Sequence, residues 1–428
     1  MNKKMLCASI ALTALLSASV MAWAGSSVLE DPQRPPPRAE QPQPAAVLKT
    51  EIVYLGKKYN EPPPLSLVDV VATDKGIQGA RIALDENNKT GRLLGQEFKL
   101  TESIVGERED VVAAARGIFA AGHRLIVADL EAADLVAVAD LASQQASDAI
   151  LINARASDDE LRMENCRSNV FHVPPSYAMR TDALAQYLIW KKWRRWFLIS
   201  GKGTDDLKYA AAIKRSAVKF GGKIVAERTY TFDAGNRRTD SGHQQIQTQM
   251  PMLTQGAPEH DVVFVADISE AFGDYLQYRT AEPKPVVGTH GLMGVAWHRS
   301  FEQYAAMQMQ NRFERLVKRA MTERDYTAWL AVRIFGEAVV RISKNTAPEV
   351  RAFITSKDFE VAGFKGQGMT FRKWDNQMRQ PILISGPRAL VSISPQDGFL
   401  HQHFKTDTLG FDEPESKCRF EKLAANPG

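Results

Sequence analysis

The chain has only three cysteines in 428 residues and a nearly balanced charge of +4. So small an excess excludes the strongly basic character of nucleic-acid binders, and no nucleic acid is expected as a partner. After residue 24 no apolar run approaches the ~20 residues that cross a bilayer. The usual catalytic signatures are missing too. There is no G-x-S-x-G elbow, no G-x-x-x-x-G-K-[ST] phosphate loop, no H-E-x-x-H and no G-x-G-x-x-G after a strand. No catalytic residue can be named on this basis, and neither a metal nor a cofactor is implied.

What is present begins at the N-terminus. "MNKKMLCASIALTALLSASVMAWAG" places Lys3 and Lys4 before an apolar core that ends in Ala22-Trp23-Ala24. This is the layout of a cleaved secretory signal peptide, residues 1–24, with cleavage before Gly25. Cys7 lies too early to be a lipid-anchored cleavage cysteine, so a soluble, exported, periplasmic protein is expected. Losing two lysines and no acids brings the net charge to +2. Residues 25–48, rich in Pro, Gln and charge, have little to bury and read as a solvated leader. Cys166 and Cys418 are then the remaining cysteines, and in an oxidising compartment they are expected to pair; two buried free thiols are the alternative.

Roughly 375 residues remain, more than one core usually serves. Strand-like and helix-like segments alternate along them. "TEIVYLG", "RLIVAD" and "AILINA" are apolar strands separated by helical segments such as "EDVVAAARGIFAAG" and "EAADLVAVADLASQQA". The rhythm restarts with "TDALAQYLIWKKW", "RRWFLIS" and "DLKYAAAIKRSAVKFGG". Such βαβ repetition predicts an α/β fold of two doubly wound parallel-sheet units, with ligands bound beyond the C-terminal ends of the strands.

Three local motifs have plain structural readings. "GKGTDD" (201–206) has the glycines of a phosphate loop, but its aspartates would repel phosphate, so a turn with a helix N-cap is expected. "HQH" (401–403) has no third metal ligand nearby and reads as a surface strand. In "WKKWRRWF" (190–197) the aromatics pack and the cations cover a helix C-terminus, rather than forming a single-strand nucleic-acid platform. The strand ends carry the stronger signal. Glu131 follows "LIVADL", Arg155 and Ser157 follow "AILINA", Asp267 follows "DVVFVA", and His290 follows "PVVGT". Together they outline a cleft. In "INARASDDELR" (Ile152–Arg162), Arg155 and Ser157 are expected to face it, while Asp158 and Asp159 start a helix whose dipole favours acids.

"ASDDELR", "VFHVPPSYAMRTDALAQYL" and "DYTAWLAVRIFGEAV" occur in an order that resembles the type I periplasmic solute-binding proteins, the branched-chain amino-acid-binding group of ABC transporter receptors. "GFKGQGMTFRKWDNQMRQPILIS" with "SPQDGFLHQHFKTDTLGFDEPESKC" looks like the subfamily linked to pyrroloquinoline quinone-dependent alcohol dehydrogenase systems. The resemblance implies two lobes joined by a hinge, one from 49–172 plus 290–345 and the other from 173–289 plus 346–390, with a tail at 391–428. It implies ligand contacts at Glu131, Ala132, Arg155, Ser157, Tyr209, Asp267 and His290. It also implies a small-molecule ligand, ABC permease membrane subunits as partners, and components of an alcohol dehydrogenase system as the setting. "DLEAAD" replaces the family's carboxylate-binding hydroxyls with acids and alanines, which argues for a neutral or cationic ligand, or an anion met by Arg155. A non-transport sensor of the alcohol-oxidation system, and a hydrolase on a doubly wound fold, are the rival readings.

Overall fold

The computed structural model describes residues 47–61, 71–231 and 240–420. The expected signal peptide and nearly all of the leader lie outside the described residues. Among the described residues no helix is long and apolar enough to cross a membrane.

The first sheet contains β1 (Leu48–Lys57), β2 (Gln96–Val105), β3 (Leu125–Asp129), β4 (Ile150–Asn153) and β5 (Val170–His172). They are all parallel, in the order β2-β1-β3-β4-β5. Helix α1 (Ile77–Gly91) follows β1, and α2 (Val111–Ala120) and α3 (Ala132–Gln145) flank β3. The apolar runs form strands because both sheet faces are covered, so successive side chains serve different cores. Ile52, Tyr54, Leu125 and Val127 pack towards α1. Val53, Leu55, Ile126 and Ala128 pack towards α2 and α3.

The second sheet contains β6 (Arg195–Ser200), β7 (Lys223–Thr229), β8 (Val262–Ala266), β9 (Val286–Gly288) and β10 (Leu292–Val295). After a short hairpin of β11 (Val361–Ala362) and β12 (Gly368–Met369), it gains β13 (Ile382–Ser385) and β14 (Leu390–Ser394). Its order is β14-β13-β10-β9-β8-β6-β7. Helices α4 (Tyr177–Trp190) and α5 (Thr204–Phe220) cover one face. Helices α6 (Asp240–Thr254) and α7 (Gly273–Leu276) lie on the other. Chain order continues with α8 (Ala306–Val317), α9 (Glu323–Ile342) and α10 (Ala347–Ile354).

The expected class is present, two doubly wound α/β lobes, but three placements differ from the expectation. Leu292–Val295, assigned above to the first lobe, is β10 of the second sheet and pairs with β9 and β13. Residues 347–378, assigned to the second lobe, pack on the first. Val350, Ile354, Phe359, Met369 and Phe371 share one core with α1 and α9. An apolar stripe demands burial, but its sequence does not say against which sheet. The second sheet is also not purely parallel: β13 runs antiparallel to β10 and β14 antiparallel to β13, so the sheet continues past the expected tail boundary at 391. "HQH" lies in a bend rather than a strand, with His401 Nε2 3.3 Å from Asp412.

The chain crosses between lobes near 172–177, 295–297 and 378–382. At the first and third crossings, His172 N donates to Asn376 O and Met378 N to His172 O, each at 2.9 Å. Arg162, 1% exposed, binds this junction with every arm of its guanidinium. Its Nε donates to Gln377 Oε1 at 2.8 Å, its Nη1 to Ala156 O and Asp158 O, and its Nη2 to Pro174 O at 2.9 Å. Beside it the Asp159 carboxylate accepts from Ala178 N at 2.9 Å, seating the first turn of α4. Burial pushes the Asp159 carboxyl up to about 6, against the pull of Ala178 N, the Ser176 hydroxyl and Arg162.

The tail returns across both lobes. Asp407 is buried between Arg372 and Arg379, accepting from the Nε of each at 2.9 Å. Arg215 and Lys219 of α5 donate to Gly410 O. The expected disulfide is present: Cys418 bonds Cys166 across 252 residues of sequence.

Two outcomes are expected. Asp407→Ala strands two buried guanidinium groups and should lower unfolding free energy in urea by about 3–5 kcal/mol. For Asp159, the folded pKa lies above the unfolded one, so its stabilising contribution is present below about pH 4 and lost as pH rises through 6. Asp159→Asn does not titrate. Its stability relative to wild type should therefore rise between pH 4 and pH 7, by on the order of 2 kcal/mol, in parallel denaturant melts.

Candidate functional site

Parallel strands deliver their C-terminal ends to one edge of a sheet. In this chain the two edges face each other across a cavity of about 570 Å³. From the first lobe, β3 leads into Glu131, Ala132 and Ala133 at the start of α3, and β4 into Arg155, Ser157 and Asp158. From the second, β6 leads into Asp205, Lys208 and Tyr209 of α5, β8 into Asp267 and Glu270, and β9 into His290. All seven residues expected from sequence thus line the same cavity. Their side chains, however, do different things.

Asp267 does not present a free carboxylate. Fully buried, it accepts from Ala271 N at 2.9 Å, Phe272 N at 2.9 Å and Gly273 N at 2.6 Å, and from the Ser269 hydroxyl. Its work is to shape the loop that carries Glu270. His290 is 8% exposed, with Nδ1 3.0 Å from Thr289 Oγ1 and its ring packed on Gly273. A Cβ at residue 273 would stand 2.1 Å from that ring, which is why a glycine occupies the position.

Arg155 is held by protein groups. Its guanidinium lies 4.4 Å from the centre of the Tyr59 ring. Its nearest acids are Glu131 at 3.4 Å, Glu61 at 3.7 Å and Asp129 at 3.8 Å. The three acids of "DLEAAD" also separate in role. Asp129 is buried under the Tyr54 hydroxyl (2.6 Å) and Arg324 (3.1 Å). Asp134 is taken by Lys57 and the Tyr59 hydroxyl. Glu131 alone of the three lines the cavity. Burial raises its carboxyl pKa; Arg155 opposes the rise, while Asp205, Asp134 and Asp158 add to it.

Several wall residues were not expected from sequence. Lys208 of the second lobe donates to Asp158 of the first at 2.5 Å and to Glu160 at 3.3 Å. Arg180 of α4 donates to Glu323 at the start of α9 at 3.0 Å and reaches the Ser157 hydroxyl at 3.4 Å. These pairs bridge the cleft. Tyr177 and Tyr209 meet edge to face, ring centres 5.6 Å apart, on the second-lobe side. Burial pushes both phenols up. Neither hydroxyl forms a hydrogen bond among the described residues. Tyr177 stands in the quoted crossover segment, at the first position of α4, and a polar-tipped aromatic there was the available signal. Lys208 and Arg180 lie inside helical patterns, where the sequence does not tell a cleft cation from a solvated one.

Comparison with known proteins agrees with this geometry. A family model described as periplasmic binding protein matches residues 72–386. A branched-chain amino acid ABC transporter periplasmic ligand-binding protein from Burkholderia xenovorans superposes with a TM-score of 0.65 at 13% identity, covering 87% of this chain and 99% of that one. An ABC transporter substrate-binding protein from Sphaerobacter thermophilus gives 0.63 at 17% identity, covering 85% and 100%. A leucine-, isoleucine-, valine-, threonine- and alanine-binding protein from Brucella ovis, in a closed conformation, gives 0.62 at 13% identity, covering 85% and 98%. No curated protein matches the sequence. Identities this low speak for the fold; the family model, spanning most of the chain, speaks for descent. With two α/β lobes, three crossings and a cavity walled by strand ends from both, this chain belongs to the periplasmic binding protein family.

Proposed function

We propose that the protein is the exported solute receptor of an ABC-type transporter, working in the periplasm. It closes two lobes on one small molecule and presents it to the membrane permease subunits. The mechanism is binding and hinge closure, with no covalent step. The observation that carries this reading is the cavity itself. Glu131, Arg155 and Ser157 border it from one lobe, and Lys208, Tyr209 and His290 from the other, so a bound molecule touches both lobes and rewards their approach. The Lys208–Asp158 and Arg180–Glu323 pairs then add cross-lobe attraction that exists only when the lobes are together.

The setting in a quinoprotein alcohol dehydrogenase system rests on the resemblance of the C-terminal segment; the solved neighbours do not carry it. Pull-down from native membranes separates the two settings. Recovery of permease subunits supports transport, whereas recovery of dehydrogenase components alone supports a sensor of alcohol oxidation.

The receptor reading is tested by denaturing protein purified from its native exported fraction and identifying the released small molecule by mass spectrometry. Adding that compound back to refolded protein should lower the radius of gyration in solution scattering. Failure to bind any released compound, or conversion of it to product, would reject the reading. Tyr209→Phe removes a hydroxyl that has no partner among the described residues. Its unfolding free energy should stay within about 0.5 kcal/mol of wild type, while affinity for the released compound falls by about 1 kcal/mol in calorimetry.

A further inference from the structure

If the cavity is a receptor site, its walls narrow the chemistry of the occupant. Six carboxylates line it, from Glu131, Asp158, Asp205, Asp267, Glu270 and Glu323, against three permanent cations, Arg155, Arg180 and Lys208. Each cation is already shared among protein acids. Arg155 serves Glu131, Glu61 and Asp129 while its face rests on Tyr59. Lys208 serves Asp158, Glu160 and, at 3.5 Å, Asp205. Arg180 is taken by Glu323. An arriving anion would have to displace one of these partners and meet the remaining acids.

The acids are not equally satisfied. The backbone N–H groups of its own loop hold Asp267, Arg180 and Ala296 N hold Glu323, and Lys208 holds Asp158. Glu131 and Asp205 keep only long contacts, 3.4 Å to Arg155 and 3.5 Å to Lys208, and they approach the cavity from opposite lobes. Burial and then the neighbouring Asp158 raise the Asp205 carboxyl, and Asp205 in turn raises that of Glu131. Like charges therefore face each other across the cleft.

An independent observation comes from the aromatic wall. Tyr209 is 2% exposed and Tyr177 8%, and both border the cavity with hydroxyls that no described residue meets. The side chains are buried while their polar tips open on the cavity without a partner among the described residues, which points to something that binds there. Tyr177 also lies close enough to Asp158 and Asp205 to feel both charges, and an aromatic face beside acids is how proteins hold ammonium groups. The amino end of α3 attracts anions by roughly half a charge. Glu131, the residue before its first turn, brings a full negative charge to the same place. Among the described residues no three acids or histidines converge closely enough to hold a metal ion.

We propose that the cavity takes a small organic cation, a protonated amine or quaternary ammonium, held between Glu131 of the first lobe and Asp205 of the second with Tyr177 and Tyr209 against it. The cation relieves the repulsion between the two carboxylates, so its arrival and lobe closure are one event. Selectivity against zwitterions and anions follows from the excess of carboxylates in the wall and from the acids that already surround Arg155, Arg180 and Lys208.

The probe is an aqueous extract of the producing cells. It is split on ion exchangers into a cation-retained pool, an anion-retained pool and an unretained pool. Each pool is offered to the refolded full chain in a thermal shift assay. The expected result is stabilisation by the cation-retained pool alone, with a carbon-containing cation recovered from the complex by mass spectrometry. Glu131→Gln and Asp205→Asn, both at half-exposed positions that tolerate substitution, should each weaken binding of that cation by ~10-fold or more. Glu164→Gln, at an exposed site outside the cavity lining, should not. Stabilisation by either other pool, or variants that bind as wild type does, overturns the cationic assignment and leaves the receptor reading standing. Stabilisation by no pool overturns both.

Discussion

A single buried guanidinium, that of Arg162, holds the crossings and the cleft edge in register. It donates to the carbonyls of Ala156 and Asp158 in the loop after β4, to Pro174 in the first crossing, and to Gln377 in the third. Gln377 passes the constraint on, donating to His172 O and Pro174 O. Burial lowers the Arg162 pKa to about 10, which still leaves it charged at neutral pH. A charge in so dry a place is tolerated because every arm has an acceptor. Because most of those acceptors are backbone carbonyls on separate segments, the position of Ser157 and Asp158 depends on where the crossings run.

Around that junction the structure uses charge in two ways. In the tail, Arg372 and Arg379 surround Asp407 with short, fully buried contacts, and the Cys166–Cys418 bond returns the end of the tail to the first lobe. Those pairs are saturated and structural. In the cleft, contacts are shared and, apart from Lys208–Asp158, longer: one lysine among three acids, one arginine among three more. Saturated pairs fix geometry, whereas oversubscribed ones leave a field that a ligand can answer.

The site was legible in sequence to the extent that strand ends were. Buried parallel strands are continuous apolar runs, so "RLIVAD", "AILINA" and "DVVFVA" announce both themselves and the loops beyond them. That is why Glu131, Arg155, Ser157, Asp267 and His290 could be named together. What each side chain does there was not legible. Asp267 looks like a ligand contact and is an internal loop brace. Arg155 looks available and is wrapped by Tyr59 and three acids. Arg180 and Lys208 escaped notice because they lie inside helices, and Tyr59, two residues past the end of β1, because that strand end was not read as part of the cleft.

The amino-acid order alone determined the α/β class, the restart of the rhythm that makes two lobes, and the strand ends that form the cavity wall. These follow from local periodicity and from the burial that apolar runs require. Only the tertiary structure decided which lobe receives α10 and the β11–β12 hairpin, that β10 joins the second sheet, and which acid meets which cation. An amphipathic helix or a charged side chain specifies that it needs a partner. Which partner it finds depends on segments more than 100 residues away, such as Glu323 for Arg180, and is settled only when the chain has crossed between the lobes.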